Sequence, residues 1–103
     1  MEFLVDYTII VPEGTAADVV ENLKVREAER VRELADEGYV LRLWRPPAAP
    51  GEWRGLGLWR GRDADDVQTA LESLPLYPWF DVEVTALGSH PNDPANRVPP
   101  ESD

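Results

Sequence analysis

The stretch from Thr15 to Glu37, TAADVVENLKVREAERVRELADE, decides the predicted fold and supplies the first functional hypothesis. Its apolar residues recur at steps of three and four, which is the spacing of one face of an α-helix. The members of this face are Val20, Leu23, Val31 and Leu34. The position that would complete the series is 27, and it holds a glutamate, so the spacing directs a carboxylate toward the protein interior.

A carboxyl group in an apolar pocket resists ionisation, so its pKa rises and it can exchange protons near neutral pH. Glu27 is therefore a candidate catalytic acid and base. Two structural alternatives stay open from the spacing alone. Glu27 lies at the edge of the apolar face, or it pairs with an arginine from a neighbouring sheet.

The segments beside this helix carry strand and turn signals. Residues 3–11, FLVDYTIIV, are rich in β-branched and aromatic types and predict a first strand, which ends at the Pro-Glu-Gly sequence of residues 12–14. Thr15 is the expected N-cap of the helix, and Gly38 is the expected residue that ends it. Residues 39–44 predict a second strand.

The second half of the chain repeats the pattern of strand, helix and strand. After a loop at residues 46–52, residues 53–60 predict a third strand, and Asp63 is the expected cap of a second helix. The predicted buried face of that helix comprises Val67, Ala70, Leu71 and Leu74. Residues 80–87 alternate as a fourth strand. The resulting order, βαββαβ, predicts an α+β, ferredoxin-like fold, with a four-stranded antiparallel sheet and two helices on one face.

This arrangement leaves one sheet face uncovered, which predicts a homo-oligomer. The 103 residues suffice for one core, and we assign the domain to residues 1–88. Residues 89–103 are rich in proline, asparagine and aspartate and lack periodicity. We expect them to be a disordered tail or an arm that packs on a neighbouring subunit.

Composition narrows the function classes. Twenty acidic and ten basic residues give a net charge of −10, which disfavours nucleic acid and anionic membranes as partners. There is no apolar run of membrane-spanning length, no signal-peptide pattern and no cysteine, so a cytoplasmic protein is expected. With His90 as the single histidine and no nucleotide-binding or metalloprotease motif, we expect proton transfer, elimination or rearrangement without metal or cofactor.

An anionic substrate would need a local cluster of positive charge on so acidic a protein. Five arginines fall between positions 42 and 62, namely Arg42, Arg45, Arg54, Arg60 and Arg62. The alternative for each of them is simple balance of surface charge.

Four short stretches together resemble the muconolactone isomerase family. They are MEFLV at residues 1–5, LWR at 43–45, SLPLYPW at 73–79, and the pair His90-Pro91. The resemblance extends from residue 1 to about residue 94. It implies ferredoxin-like domains assembled into rings, typically decamers. It also implies conversion of muconolactone to the 3-oxoadipate enol-lactone in the degradation of aromatic compounds, without metal or cofactor.

The resemblance places the family's catalytic glutamate at Glu27, which would take a proton from the lactone ring and return it to the other end of the allylic system. Arg45 and His90 also match family positions. For His90 two expectations stay open, contact with a neighbouring subunit's pocket or packing within a turn. The remaining substrate-binding candidates lie on strands that face or flank the predicted cavity, and they are Tyr39, Arg42 and Trp53.

The third strand departs from the family pattern. Trp53-Arg54-Gly55 stands where members often carry Tyr-x-Asn, and Arg54 is a candidate replacement for the missing amide donor. Many members also carry a lysine near position 22, where this chain has Asn22. Two alternatives therefore accompany the isomerase hypothesis: a biosynthetic cyclase or dehydratase acting on a larger metabolite, and a non-catalytic domain that binds small molecules.

Overall fold

Four strands and two α-helices alternate in the predicted βαββαβ order within residues 1–96, the part of the chain that the computed structural model describes. The elements are β1 Glu2–Ile9, α1 Ala17–Asp36, β2 Val40–Trp44, β3 Trp53–Arg60, α2 Ala64–Glu72 and β4 Phe80–Leu87. Single turns of 3₁₀ helix occupy Tyr77–Trp79 and Pro94–Asn96.

The strands form one antiparallel sheet in the order β2-β3-β1-β4. On the central strand β1, Val5 is paired with Gly57 of β3 on one side and with Val84 of β4 on the other. Both helices pack on the same face, since residues from each join the sheet in one buried cluster. Its members are Phe3, Val5, Leu34, Val40, Trp59, Val67, Ala70, Leu71 and Leu74. The predicted ferredoxin-like fold is confirmed.

The two ends of α1 differ in how well the sequence predicts them. At the C-terminal end Gly38 adopts a φ of 92°, and the Tyr39 N–H donates to the Leu34 carbonyl at 2.9 Å, which closes the helix as expected. The expected N-cap is wrong. The Thr15 hydroxyl donates to the Pro12 carbonyl at 2.6 Å, inside the preceding turn, and Ala16 takes the cap position without a side-chain bond. The competing local hydrogen bond removes the threonine from the helix.

Strand β1 stops two residues earlier than predicted. Ile9 is its last paired residue, because β3 begins opposite it at Trp53 and β4 begins opposite it at Phe80. Beyond Ile9 there is no ladder to continue. The Ile10 N–H instead donates to the Trp79 carbonyl at 2.8 Å.

The sheet face opposite the helices carries apolar side chains that the other described residues cover only in part. Leu4, Leu56 and Leu58 are half-buried there, and Trp44 and Leu87 are exposed. Such a face fits the expectation of an uncovered sheet surface. No helix in the part of the chain that the structure describes has the length and apolar character needed to cross a bilayer.

A polar cluster ties the start of α2 to the end of α1. The Tyr39 hydroxyl donates to the Asp66 carboxylate at 2.8 Å, and the backbone N–H of Arg62 donates to it at 2.9 Å. These bonds, with the Arg62 guanidinium, lower the pKa of Asp66 to about 2. The carboxylate therefore stabilises the fold in its ionised form.

We expect Asp66→Asn to lower the melting temperature at neutral pH, since it removes the ionised acceptor. The folded-state pKa of Asp66, about 2, lies below the ordinary value of about 3.9, so its stabilisation is present above about pH 4 and disappears as the pH falls toward 2. Thermal melts of both proteins across that range should therefore converge. A constant difference down to pH 2 would contradict this role. Asp65→Asn, one position earlier on α2, is the matched control.

Candidate active site

A cavity of about 1070 Å³ opens between α1 and the sheet. Its lining combines sheet residues Tyr7, Ile9, Trp53, Arg54 and Gly55, helix residues Lys24, Glu27, Ala28 and Val31, the segment 43–48, and Glu52 and Leu76. The cavity exists because α1 is fully buried only near its C-terminal end. Leu34, near the end of α1, is completely buried, whereas Leu23 and Glu27 are only half-buried. The N-terminal half of α1 therefore lies above an open space that its side chains do not fill.

Glu27 projects from α1 into this cavity, as the spacing predicts. Its Oε1 accepts a hydrogen bond from the Leu76 backbone N–H at 3.0 Å. It takes part in none of the salt bridges found among residues 1–96, so the alternative of an arginine partner is not realised there. Burial raises the pKa of Glu27, and the Leu76 hydrogen bond offsets part of that rise. The carboxylate is oriented and uncompensated by a cation, which suits a proton carrier.

The amide that orients Glu27 comes from the turn between α2 and β4. Pro75 and Pro78 shape this turn, in which the N–H groups of Tyr77 and Trp79 bond three residues back. The Leu76 N–H is left outside that pattern and is available for the carboxylate. The buried Leu76 side chain fixes the peptide in place. The SLPLYPW stretch thus has a specific structural role, since it delivers one backbone donor to the cavity.

Two cations line the cavity without a strong carboxylate partner. The Lys24 ammonium lies 4.4 Å from the centroid of the Trp53 ring and 3.5 Å from Glu21, which is mostly exposed. Arg45 lies on the segment that follows β2 and belongs to none of the salt bridges among the described residues. A negatively charged ligand can therefore be bound beside Glu27 without the guanidinium or ammonium first leaving a buried partner.

Comparison with known proteins gives a consistent assignment. Residues 1–93 match the family model described as muconolactone delta-isomerase. The chain belongs to the muconolactone delta-isomerase family. Muconolactone delta-isomerases of this family from Cupriavidus pinatubonensis and Pseudomonas aeruginosa are 29% and 30% identical to it over 92 residues. Those 92 residues are 89% of this chain and 97% and 93% of the two relatives.

Solved structures agree with this membership. A crystal structure of muconolactone isomerase superposes with a TM-score of 0.79 at 28% identity, covering 89% of this chain and 93% of that one. A 5-chloro-2-hydroxyhydroquinone dehydrochlorinase from Burkholderia phenoliruptrix superposes with a TM-score of 0.64 at 14% identity, covering 87% and 96%. The second likeness shows the shared fold alone.

The structure brings four of the seven predicted site residues of this family member to one cavity, namely Glu27, Arg45, Trp53 and Arg54. Arg54 is less available than its position in the sequence suggests. Its guanidinium donates to the Asp6 carboxylate at 3.1 Å and to the Pro47 carbonyl at 3.4 Å. The positive charge is thus already paired at the cavity rim.

The other three predicted residues lie outside the cavity of this chain. Tyr39 is hydrogen-bonded to Asp66 at the far end of α1, and the Arg42 guanidinium covers the Trp44 ring at 5.0 Å from its centroid. His90 lies in a turn, where its Nδ1 accepts from the Asn92 N–H at 3.0 Å. The predicted tail is described only as far as residue 96, and residues 97–103 lie outside the described part.

Sequence reasoning missed two polar residues of the cavity. Lys24 lies one helical turn before Glu27 on the same side of α1, so the helical period could have identified it. Tyr7 lies on β1, where it appeared as one of several aromatic and β-branched strand residues. The period-two alternation that directs Phe3 and Val5 inward also directs Tyr7 inward, and it was the available signal.

Proposed function

We propose that this protein isomerises muconolactone to the 3-oxoadipate enol-lactone in aromatic-compound degradation, with Glu27 as the proton carrier. One observation supports the assignment to Glu27 above all others. Its half-buried carboxylate faces the cavity, is oriented by the Leu76 N–H at 3.0 Å, and has no cationic partner among the described residues. Family membership supports the substrate class.

The reaction moves one proton. The ionised Glu27 takes a proton from the ring carbon of the unsaturated lactone, and the electrons of that C–H bond pass through the conjugated system to the carbonyl oxygen. The resulting carboxylic acid then returns the proton to the other end of the same system, and Glu27 is ionised again. A pKa raised by burial suits both proton transfers. The ionised Glu27 is then a stronger base, and its protonated form still releases the proton.

Muconolactone carries a carboxylate, and Lys24 is the cation we assign to it, with Arg45 as a second contact. We expect Lys24→Met to raise KM about tenfold or more and to change kcat much less, because an ion pair made before and during the reaction contributes to binding uniformly. Steady-state kinetics measure both constants. Arg26→Met, an exposed cation on the same helix, is the matched control. Equal KM values for the two variants would remove Lys24 from the binding site.

The pH dependence of the wild-type enzyme tests the assignment of the base. Glu27 must be ionised to accept a proton, so kcat/KM should fall as the pH drops through its pKa, which burial raises above the ordinary glutamate value of about 4.3. A spectrophotometric assay of muconolactone turnover between pH 4 and 8 measures this limb. Turnover that stays constant down to pH 4 would contradict Glu27 as the base. No turnover at any pH would favour the binding-domain alternative.

We also propose that the protein acts as a cytoplasmic homo-oligomer, a ring of ten subunits by family resemblance. The uncovered sheet face, with Trp44 and Leu87 exposed, supports association. Light scattering of the purified protein should give a mass several times the 11.6 kDa of the chain. A stable monomer at micromolar concentration would contradict this assembly.

A further inference from the structure

Tyr7 is held rigidly in the cavity by its two strand neighbours. Its ring stacks on Phe80 of β4 with the centroids 4.5 Å apart and an angle of 3° between the planes. On the other side lies Gly55 of β3, the residue directly paired with Tyr7. A Cβ at position 55 would overlap the Cζ atom and the hydroxyl oxygen of Tyr7. The glycine therefore makes room for the phenol end of the side chain.

The Tyr7 hydroxyl has no hydrogen-bond partner among residues 1–96, although most of the side chain is covered. Tyr7 lines the same cavity as Glu27. Burial raises the pKa of Tyr7, and the negative charge of Glu27 raises it further. The phenol thus stays protonated throughout the working pH range and offers one O–H donor to whatever occupies the cavity.

We propose that the Tyr7 hydroxyl donates a hydrogen bond to the lactone carbonyl oxygen of the substrate as negative charge develops on it. This inference rests on the proposed isomerase function and adds a catalytic residue to it. The proton on Tyr7 is not transferred. Glu27 removes the ring proton, the electron pair moves to the carbonyl oxygen, and the Tyr7 O–H stabilises the enolate until Glu27 returns the proton to carbon.

The rigidity of the donor is the reason for assigning it this role. A donor that is already oriented needs no reorganisation when charge appears, so it stabilises the transition state more than the ground state. Tyr7 meets that condition because the Phe80 stack and the Gly55 contact restrict its ring from both sides. The two cavity cations without a strong carboxylate partner, Lys24 and Arg45, are assigned to the substrate carboxylate, and Arg54 is paired with Asp6. The carbonyl oxygen is therefore left to an uncharged donor.

Tyr7→Phe tests the proposal because it removes the hydroxyl and keeps the ring. We expect kcat for muconolactone to fall roughly 100-fold or more with KM changed little, as for loss of an oxyanion donor. Tyr77→Phe is the matched control. Its hydroxyl is bonded to Gln68 at 2.8 Å outside the cavity, and its ring also packs near Phe80, with centroids 5.9 Å apart. Tyr77→Phe should retain wild-type kcat. Equal kcat values for wild type and Tyr7→Phe would overturn the proposal.

A binding measurement separates failure of this inference from failure of the proposed function. Tetronic acid is a five-membered lactone that exists as its enolate at neutral pH, so it imitates the charged intermediate without turnover. Calorimetric titration should show that Tyr7→Phe weakens tetronate binding about 10- to 100-fold relative to wild type and Tyr77→Phe. Weakened tetronate binding without muconolactone turnover would sustain Tyr7 as the enolate donor and refute the substrate. Unchanged tetronate affinity, or no binding to wild type, would overturn the role of Tyr7.

A second variant tests the positioning by Gly55. Gly55→Ala should displace the phenol and lower kcat in the wild-type background. In the Tyr7→Phe background the same change should lower kcat far less, because the donor that it displaces is already gone. Independent, multiplicative effects of the two substitutions would show that Gly55 does not act through Tyr7.

Discussion

Replacing Glu27 by glutamine is expected to lower kcat for muconolactone by roughly 10²- to 10⁴-fold, the range that a positioned acid–base group contributes. Glutamine has nearly the same shape and keeps an oxygen that can accept from the Leu76 N–H, so the turn after α2 should be preserved. Only the proton-carrying capacity is removed. Turnover measured at substrate saturation, with circular dichroism as the check on folding, tests this expectation.

The same substitution should stabilise the protein at neutral pH. Because the folded-state pKa of Glu27 is raised, the folded protein binds the proton more tightly than the unfolded chain does. Stability therefore falls as the pH rises from the unfolded-state pKa of Glu27 through its folded-state pKa. Above the folded-state pKa the buried, ionised carboxylate lowers the free energy of unfolding, and glutamine, which has no charge, does not. Thermal melts at pH 7 should show a higher midpoint for Glu27→Gln. Glu29→Gln, an exposed glutamate on the same helix, should change neither activity nor stability appreciably.

Trp59→Ala is expected to produce the largest loss of stability in the chain. Trp59 is 1% exposed, is the bulkiest of the fully buried side chains, and belongs to the cluster that both helices share with the sheet. Deleting a buried aromatic side chain of this kind lowers the free energy of unfolding by about 3–5 kcal/mol. That is a large share of the roughly 5–15 kcal/mol typical of a folded domain. Urea denaturation of both proteins measures the difference.

Trp59→Phe provides the matched comparison and separates packing from hydrogen bonding. The indole Nε1 of Trp59 is buried with no partner among the described residues, so the tryptophan carries an unsatisfied donor. Phenylalanine removes that donor while keeping most of the apolar volume. We therefore expect a loss below about 1.5 kcal/mol. If Trp59→Phe destabilised the protein as much as Trp59→Ala, the result would contradict an unsatisfied indole N–H. It would indicate that the N–H makes a stabilising hydrogen bond.

The elements of the fold could be predicted because local rules and the tertiary structure agree in most places. Alternation on the strands and the helical period around Glu27 required no knowledge of distant contacts. Gly38 ended α1 as expected, since glycine adopts the required φ without strain. The error at Thr15 arose where two local hydrogen bonds compete for one hydroxyl, and sequence alone does not decide between the Pro12 carbonyl and the helix N-terminus.

The site was only partly accessible to such reasoning. Glu27 stood out as a polar residue on an apolar face, but the amide that orients it belongs to Leu76, which is 49 residues away in the sequence. The sequence suggested that Arg54 is a free cation, but in the fold it is paired with Asp6 across the sheet. Tyr7 could not be distinguished from a core aromatic residue without seeing that Gly55 leaves space for its hydroxyl. Long-range contacts decide these roles, and spacing alone does not reveal them.

We propose above all that Glu27 moves a proton within muconolactone in the cavity beneath α1. Proton NMR spectra of muconolactone, recorded over time with equal amounts of wild-type and Glu27→Gln protein in deuterated buffer, test it most directly. We expect wild type to replace the substrate resonances with those of the enol-lactone, while the folded variant leaves them essentially unchanged over the same period. Conversion at equal rates by both proteins, or an unchanged spectrum with wild type, would contradict it.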